Sequence, residues 1–261
     1  MSAWRGRFVR VSVILVLVAT ALVGRTSRAE ALSSPDGYFI DKLYQDFLQR
    51  NADQDEEAAA IAYLSTHTRT QLAEWLMLQD EFVYQWIWGT YQQYLATVPT
   101  DSEFLLAVAD FQSTSNYLNT EATVLSSAAY FANAGGTNSG YVSAVYQSVL
   151  YRAADPSGLS YYTSQLDSGA KTRADVARLL IRSTEGSTRR VNGVAGATTC
   201  AWTAFDDFDS LKSGSYCIVL DRLADPSGLS YWVGQLSGSA QLPLLWASNA
   251  GSTEYYNHAQ P

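Results

Sequence analysis

The chain has 261 residues, of which 17 are basic and 25 acidic, for a formal net charge of −8. That balance argues against binding a phosphate backbone, which needs a basic face, so no nucleic acid is expected as a partner. It equally disfavours docking onto an anionic membrane surface.

Arg5, Arg7 and Arg10 precede an apolar, uncharged run from Val11 to Gly24, and Ala29-Glu30-Ala31 follows as an A-x-A site. This is the layout of a cleaved signal peptide over 1–31. The apolar run is shorter than the roughly 20 residues a spanning helix needs. The expected product is secreted, extracellular or at the cell surface, and not membrane-spanning after signal removal. Without Arg5, Arg7, Arg10, Arg25, Arg28 and Glu30, 12 basic and 24 acidic residues remain, a net charge of −12.

Past residue 31 the apolar positions follow a helical period. Ile40, Leu43, Tyr44, Phe47 and Leu48 fall at i, i+3, i+4, i+7 and i+8, one face of an α-helix. Ile87, Tyr91, Tyr94 and Leu95 keep part of that spacing, Val142, Val145, Tyr146, Val149 and Leu150 keep all of it, and Tyr216, Val219 and Leu220 repeat it weakly. These stripes are core-facing surfaces.

After the third stripe comes Arg152-Ala-Ala-Asp155-Pro156-Ser-Gly158-Leu159-Ser-Tyr161-Tyr162. It returns seventy positions later as Arg222-Leu-Ala-Asp225-Pro226-Ser-Gly228-Leu229-Ser-Tyr231-Trp232. Aspartate is a good N-cap, since its carboxylate accepts from the free N–H groups of the next turn. Proline suits the first helical position, which needs no N–H. The motif therefore reads as the stop of one helix and the start of another, with Gly169 placed to end the second. A third helix begins near Thr172, buries Val176, Leu179 and Leu180, and ends at Ser183-Thr184-Glu185, a run echoed by Ser252-Thr253-Glu254. The arginine is expected to pair with helix-end carbonyls or with the capping aspartate. The alternative is a ligand-binding charge pair.

Four units of about three short helices each follow, near 38–82, 83–132, 141–186 and 205–256, with a loop from Ala134 to Gly140. The fold class is all-α, a tandem helical repeat packed as a compact array or a short solenoid. Residues 32–132 hold two degenerate units; 133–261 hold two clearer ones with an insertion at 192–212. In the first unit Arg50 and Asp53 are kept, but Gln54 and Glu56 replace the proline and glycine; the second has Thr97 to Asp101 instead.

The run Ser127-Ala-Ala-Tyr130-Phe131 with Asn138, Tyr141, Val142, Tyr146, Leu150, Arg152 and the Asp155 to Tyr162 motif resembles the bacterial domain of unknown function 4214. The resemblance is strong over 125–186, good over 216–256 and degenerate over 38–132. Tyr162 stands where that family often has the tryptophan that Trp232 keeps. The resemblance implies a helical domain of exported, surface-layer-like and polysaccharide-associated proteins. Its layout is similar to linker domains of cyanobacterial phycobilisomes. It implies a structural or adhesive role and brings no catalytic residues.

Cys200 and Cys217, the only cysteines, read as one disulfide in an oxidising compartment. His67 and His258 are the only histidines, and neither G-x-S-x-G nor H-E-x-x-H occurs. No catalytic residue, cofactor or metal site is therefore expected. Two alternatives stand beside this reading. Asp206, Asp207 and Asp209, next to Trp202, Phe205 and Phe208, suit the paired acids of a glycoside hydrolase. Asp155 or Asp225 suits a calcium-dependent adhesive module, although the motif offers only one carboxylate where calcium wants several oxygens. The leading expectation is a non-enzymatic protein that contacts an envelope protein or a surface polysaccharide through Tyr161, Tyr231 and Trp232, since flat amphipathic rings suit such contacts.

Overall fold

The computed structural model describes residues 34–193, 198–200, 214–238 and 242–261. Residues 1–31, expected as a signal peptide, lie outside the described residues. Among the described residues the chain is all-α, with 15 α-helices and no strand.

The helices are α1 Pro35–Leu48, α2 Gln54–Leu64, α3 Arg69–Met77, α4 Asp80–Leu95, α5 Asp101–Thr114, α6 Tyr117–Leu125, α7 Ala128–Asn133 and α8 Asn138–Val145. They continue as α9 Pro156–Asp167, α10 Arg173–Ile181, α11 Thr184–Asn192, α12 Ser215–Leu220, α13 Pro226–Ser237, α14 Leu242–Ala250 and α15 Thr253–His258. A π-helical turn, Tyr146–Leu150, extends α8. The spacing of its apolar side chains reads as plain α-helix, and all five stripe residues are buried even so.

Hydroxyl and carboxylate caps explain where the helices start. Thr68, Thr100 and Thr172 each accept from the N–H three residues on, and Gln71, Glu103 and Asp175 return a bond to the cap, which closes three capping boxes. Ser183 and Ser252 are also N-caps, accepting from Gly186 and Tyr255. The two S-T-E runs therefore open helices α11 and α15 instead of closing the helix before.

Four stops share another device. Gln49, Ala96, Tyr151 and Asp221 end α1, α4, the π turn and α12 in the left-handed region, at φ 53, 50, 54 and 53°. Each N–H bonds a carbonyl four residues back, and each lies four residues before an N-cap (Asp53, Thr100, Asp155 or Asp225). Left-handed backbone costs a non-glycine residue about 1–2 kcal/mol, so tertiary packing holds these turns.

α3, α6, α10 and α14, each of nine residues, form the centre, with α14 against α3 and α10 against α6. Phe82 and Trp86 of α4 meet Tyr117 of α6 and Trp246 of α14 there, with ring centroids 5.1–5.7 Å apart. The Tyr117 hydroxyl donates to the Met77 carbonyl, so its one polar atom is satisfied at full burial. In α10 the buried positions are Val176, Ala177, Leu180 and Ile181; Leu179, expected inside, is exposed on the flank of that stripe.

The last helix returns to the first. Tyr255 donates to Asp46 (2.7 Å), Tyr256 to Asp36 (3.3 Å) and the Gln260 amide to the Pro35 carbonyl (3.1 Å). Gly251 lies against Thr70, where a Cβ would sit 2.3 Å from Oγ1 and 2.4 Å from backbone. The C-terminal segment thus packs on the first helix. No helix among the described residues is long and apolar enough to cross a membrane.

Candidate functional site: clasped helix ends and an exposed tyrosine face

The duplicated motif builds two matching corners. At the first, Asp155 Oδ1 accepts from the Ser157 hydroxyl (2.6 Å) and the Gly158 N–H (2.8 Å), and Pro156 occupies the first helical position. At the second, Asp225 Oδ1 accepts from the Ser227 hydroxyl and from the Ser227 and Gly228 N–H groups (3.0 Å each). The serine hydroxyl and then the glycine N–H hold each carboxyl below its ordinary range.

The arginines take a partner the spacing did not indicate. Arg152 Nε and Nη2 donate to the two carboxylate oxygens of Glu185 at 2.6 and 2.7 Å, and Arg222 does the same with Glu254. The expected ion pair with Asp155 is present as a longer contact, Arg152 Nη1 standing 3.7 Å from Oδ2, beyond hydrogen-bond distance, while the same nitrogen donates to the Ala153 carbonyl at 3.0 Å. Each guanidinium also lies over a tyrosine of the preceding helix, Tyr146 at 5.2 Å and Tyr216 at 5.3 Å. Arg50 makes a third such clasp, over Tyr44, with Glu81 and with Glu56, which occupies the place of Gly158 and Gly228. In the remaining unit Thr97 and Ala129 stand at the arginine and glutamate places, so both partners are missing together. Arg152, Arg222 and their aspartates are thus occupied in joining helix ends.

The three aromatic candidates divide. Tyr161 and Tyr231, the sixth residues of α9 and α13, are 54% and 56% exposed. Each ring leans edge-on against its neighbour, Tyr162 or Trp232, with centroids 5.1 Å apart. Trp232 is only 6% exposed and hydrogen-bonds the Tyr216 hydroxyl, so it is part of the core and not of a contact surface. Its place four residues after Gly228 turns it inward, the side on which α13 meets α12.

Along α9 runs an open groove of about 420 Å³. Pro156, Leu159, Ser160, Thr163, Ser164 and Asp167 of α9 form its wall, and Ser139 of α8 faces them. Asn138 donates to Asp167 across the groove at 2.7 Å. Thr163 Oγ1 is buried without a protein partner. Hydroxyls and one amide–carboxylate pair beside Pro156 and Leu159 offer both donors and acceptors.

Cys200 and Cys217 are bonded, with Cα atoms 5.4 Å apart. Asp206, Asp207 and Asp209 lie outside the described residues. His67 stacks on Tyr63 at 3.8 Å, and His258 ends α15. Among the described residues no three His, Cys, Asp or Glu side chains converge as a metal site.

Fold and site together define a helical domain built on clasped helix ends. Residues 122–189, from α6 into α11, match the family described as Domain of unknown function (DUF4214), and this segment contains the Arg152–Glu185 clasp and the groove. Neither a curated protein nor a solved structure matches the chain.

Proposed function

We propose that this is an exported, non-catalytic helical protein that makes contacts at the cell surface or in the extracellular matrix, with polysaccharide as the partner. The observation that carries the choice is the groove along α9, lined by Ser139, Ser160, Thr163, Ser164 and Asp167, with exposed Tyr161 on the same helix. Tyr231 presents a second exposed ring on an equivalent frame, which allows two contacts along one polymer and the gain in avidity that follows. The signal-like N-terminus supports export, and the family match is compatible with a scaffold role.

The test is retention of the mature, oxidised chain on purified surface polysaccharides, beside Tyr161→Ala and Tyr231→Ala. Retention weakened by each single change and abolished by the pair supports the reading. Full retention by the double variant, or capture by envelope proteins alone, overturns it. Trp232→Ala is unsuitable as a binding probe, since truncating a buried tryptophan costs about 3–5 kcal/mol of stability. Finding the processed protein only in the cytoplasm removes the export claim.

A further inference from the structure

We infer that a cavity between α4, α6, the π turn and α11 is a binding site for one monovalent anion of halide size. Two consecutive guanidiniums, Arg189 and Arg190, are buried there at 2% and 4% exposure. Among the described residues the carboxylate hydrogen-bonded to this pair is Glu121, and it is fully engaged. Its Oε2 accepts from Arg190 Nη2 at 2.6 Å and its Oε1 from the Tyr94 hydroxyl at 2.5 Å. Glu185, one turn before Arg189, gives both its oxygens to Arg152.

Hydrogen bonds and charge are both left incomplete. Arg190 Nε and Nη1 and Arg189 Nε are buried without a protein acceptor. Among the described residues Arg189 forms no hydrogen bond or ion pair, and its guanidinium rests 3.4 Å from the centre of the Tyr151 ring. A ring face offsets part of a cation's desolvation but supplies no counter-charge. Burial lowers the Arg189 pKa, yet arginine does not deprotonate in proteins, and among the described residues the nearest further carboxylate, Glu185, is already paired with Arg152, so the Arg189 charge has no counter-ion of its own. Tyr94 adds no anion, because burial and then Glu121 push its phenol well above the ordinary range.

Tyr94, Glu121, Ser148, Tyr151, Arg189 and Arg190 line a partly enclosed space of about 10 Å³. That is room for one small body. A water molecule would answer the free N–H groups and leave the charge. A halide answers both, since it accepts from several donors at once and brings one unit of negative charge. Larger oxyanions such as sulfate exceed the space.

Two measurements decide it. Crystals of the mature protein grown with sodium bromide should show an anomalous peak beside Arg189 and Arg190. Thermal melts in sodium chloride should show a saturating rise in Tm over sodium gluconate at equal ionic strength, about 4 °C at tenfold excess over Kd. Arg189→Met, which keeps much of the volume and removes the charge, should lose that difference. A cavity holding water without anomalous signal, or equal melts in the two salts, overturns the site. Should Arg189→Met fail to fold, the bromide crystal of the unaltered protein decides alone.

Discussion

Arg222 and Glu254 meet through two parallel hydrogen bonds of 2.6 and 2.7 Å, and Arg152 and Glu185 meet through two of the same lengths. Each pair ties the end of one helix to the first turn of another more than thirty residues on. The side chains of Arg222 and Glu254 are 42% and 33% exposed, so solvent screens them even though the geometry is bidentate. A double-mutant cycle of Arg222→Ala and Glu254→Ala, read by urea unfolding, should give a coupling of about 1 kcal/mol that shrinks in high salt. Arg222→Lys should recover less than half of it, because an ammonium lacks the fork.

Acid should weaken the fold through the same pair. The Arg222 hydrogen bond holds the Glu254 carboxyl below its ordinary value of 4.5. A depressed folded pKa contributes stability that is whole above the unfolded value and is lost as pH falls through the folded one. Glu103 and Asp175, bonded to their threonine caps, act in the same direction. Tm should therefore hold steady down to about pH 4.5 and fall below it, and Glu254→Gln should flatten that fall.

The two equivalent glycines should respond differently to alanine. A Cβ at Gly158 would lie 2.3 Å from the Tyr146 hydroxyl, whereas at Gly228 the nearest atom, the Tyr216 hydroxyl, is 3.1 Å away. Alanine gains about 1 kcal/mol over glycine in a helix, and overpacking costs about 1–3. Gly228→Ala should be close to neutral and Gly158→Ala destabilising by about 1 kcal/mol. Tyr146→Phe in the second background should restore much of the loss in thermal melts.

Reducing the Cys200–Cys217 bond frees a closure of 17 residues. Loop entropy places the loss at roughly 3 kcal/mol, read as a lower urea midpoint for Cys200→Ser/Cys217→Ser than for the oxidised chain. An unchanged midpoint would show that the closure does not constrain the unfolded chain.

Much of this architecture is legible in the residues themselves. The stripes at Ile40 to Leu48 and Val142 to Leu150 bury as their period requires, and Asp155, Pro156, Asp225 and Pro226 start helices for the reasons their chemistry suggests. What escapes is long-range or unmarked. The glutamates that clasp Arg152 and Arg222 sit over thirty residues away, although the echoed S-T-E runs held the clue. Left-handed stops fall on Gln49, Ala96, Ser115, Tyr151 and Asp221, none of them glycine, so no residue type announces them. Trp232 reads as a contact residue because aromatic character does not tell which side of a helix faces in. Arg189 and Arg190 look like two ordinary surface charges at a helix end, and only tertiary packing buries them.

The seating of α15 on α1 decides how the molecule bears mechanical load. Pro35 and Gln260 are neighbours, so the described chain leaves and re-enters the body at one spot. Force applied between these two points meets Tyr255–Asp46 and Tyr256–Asp36 before anything else. Peeling that seam spends little extension, while the Arg–Glu clasps and the groove on α9 stay unloaded behind it. A polymer held along α9 is therefore insulated from tension that would first strip the C-terminal helix.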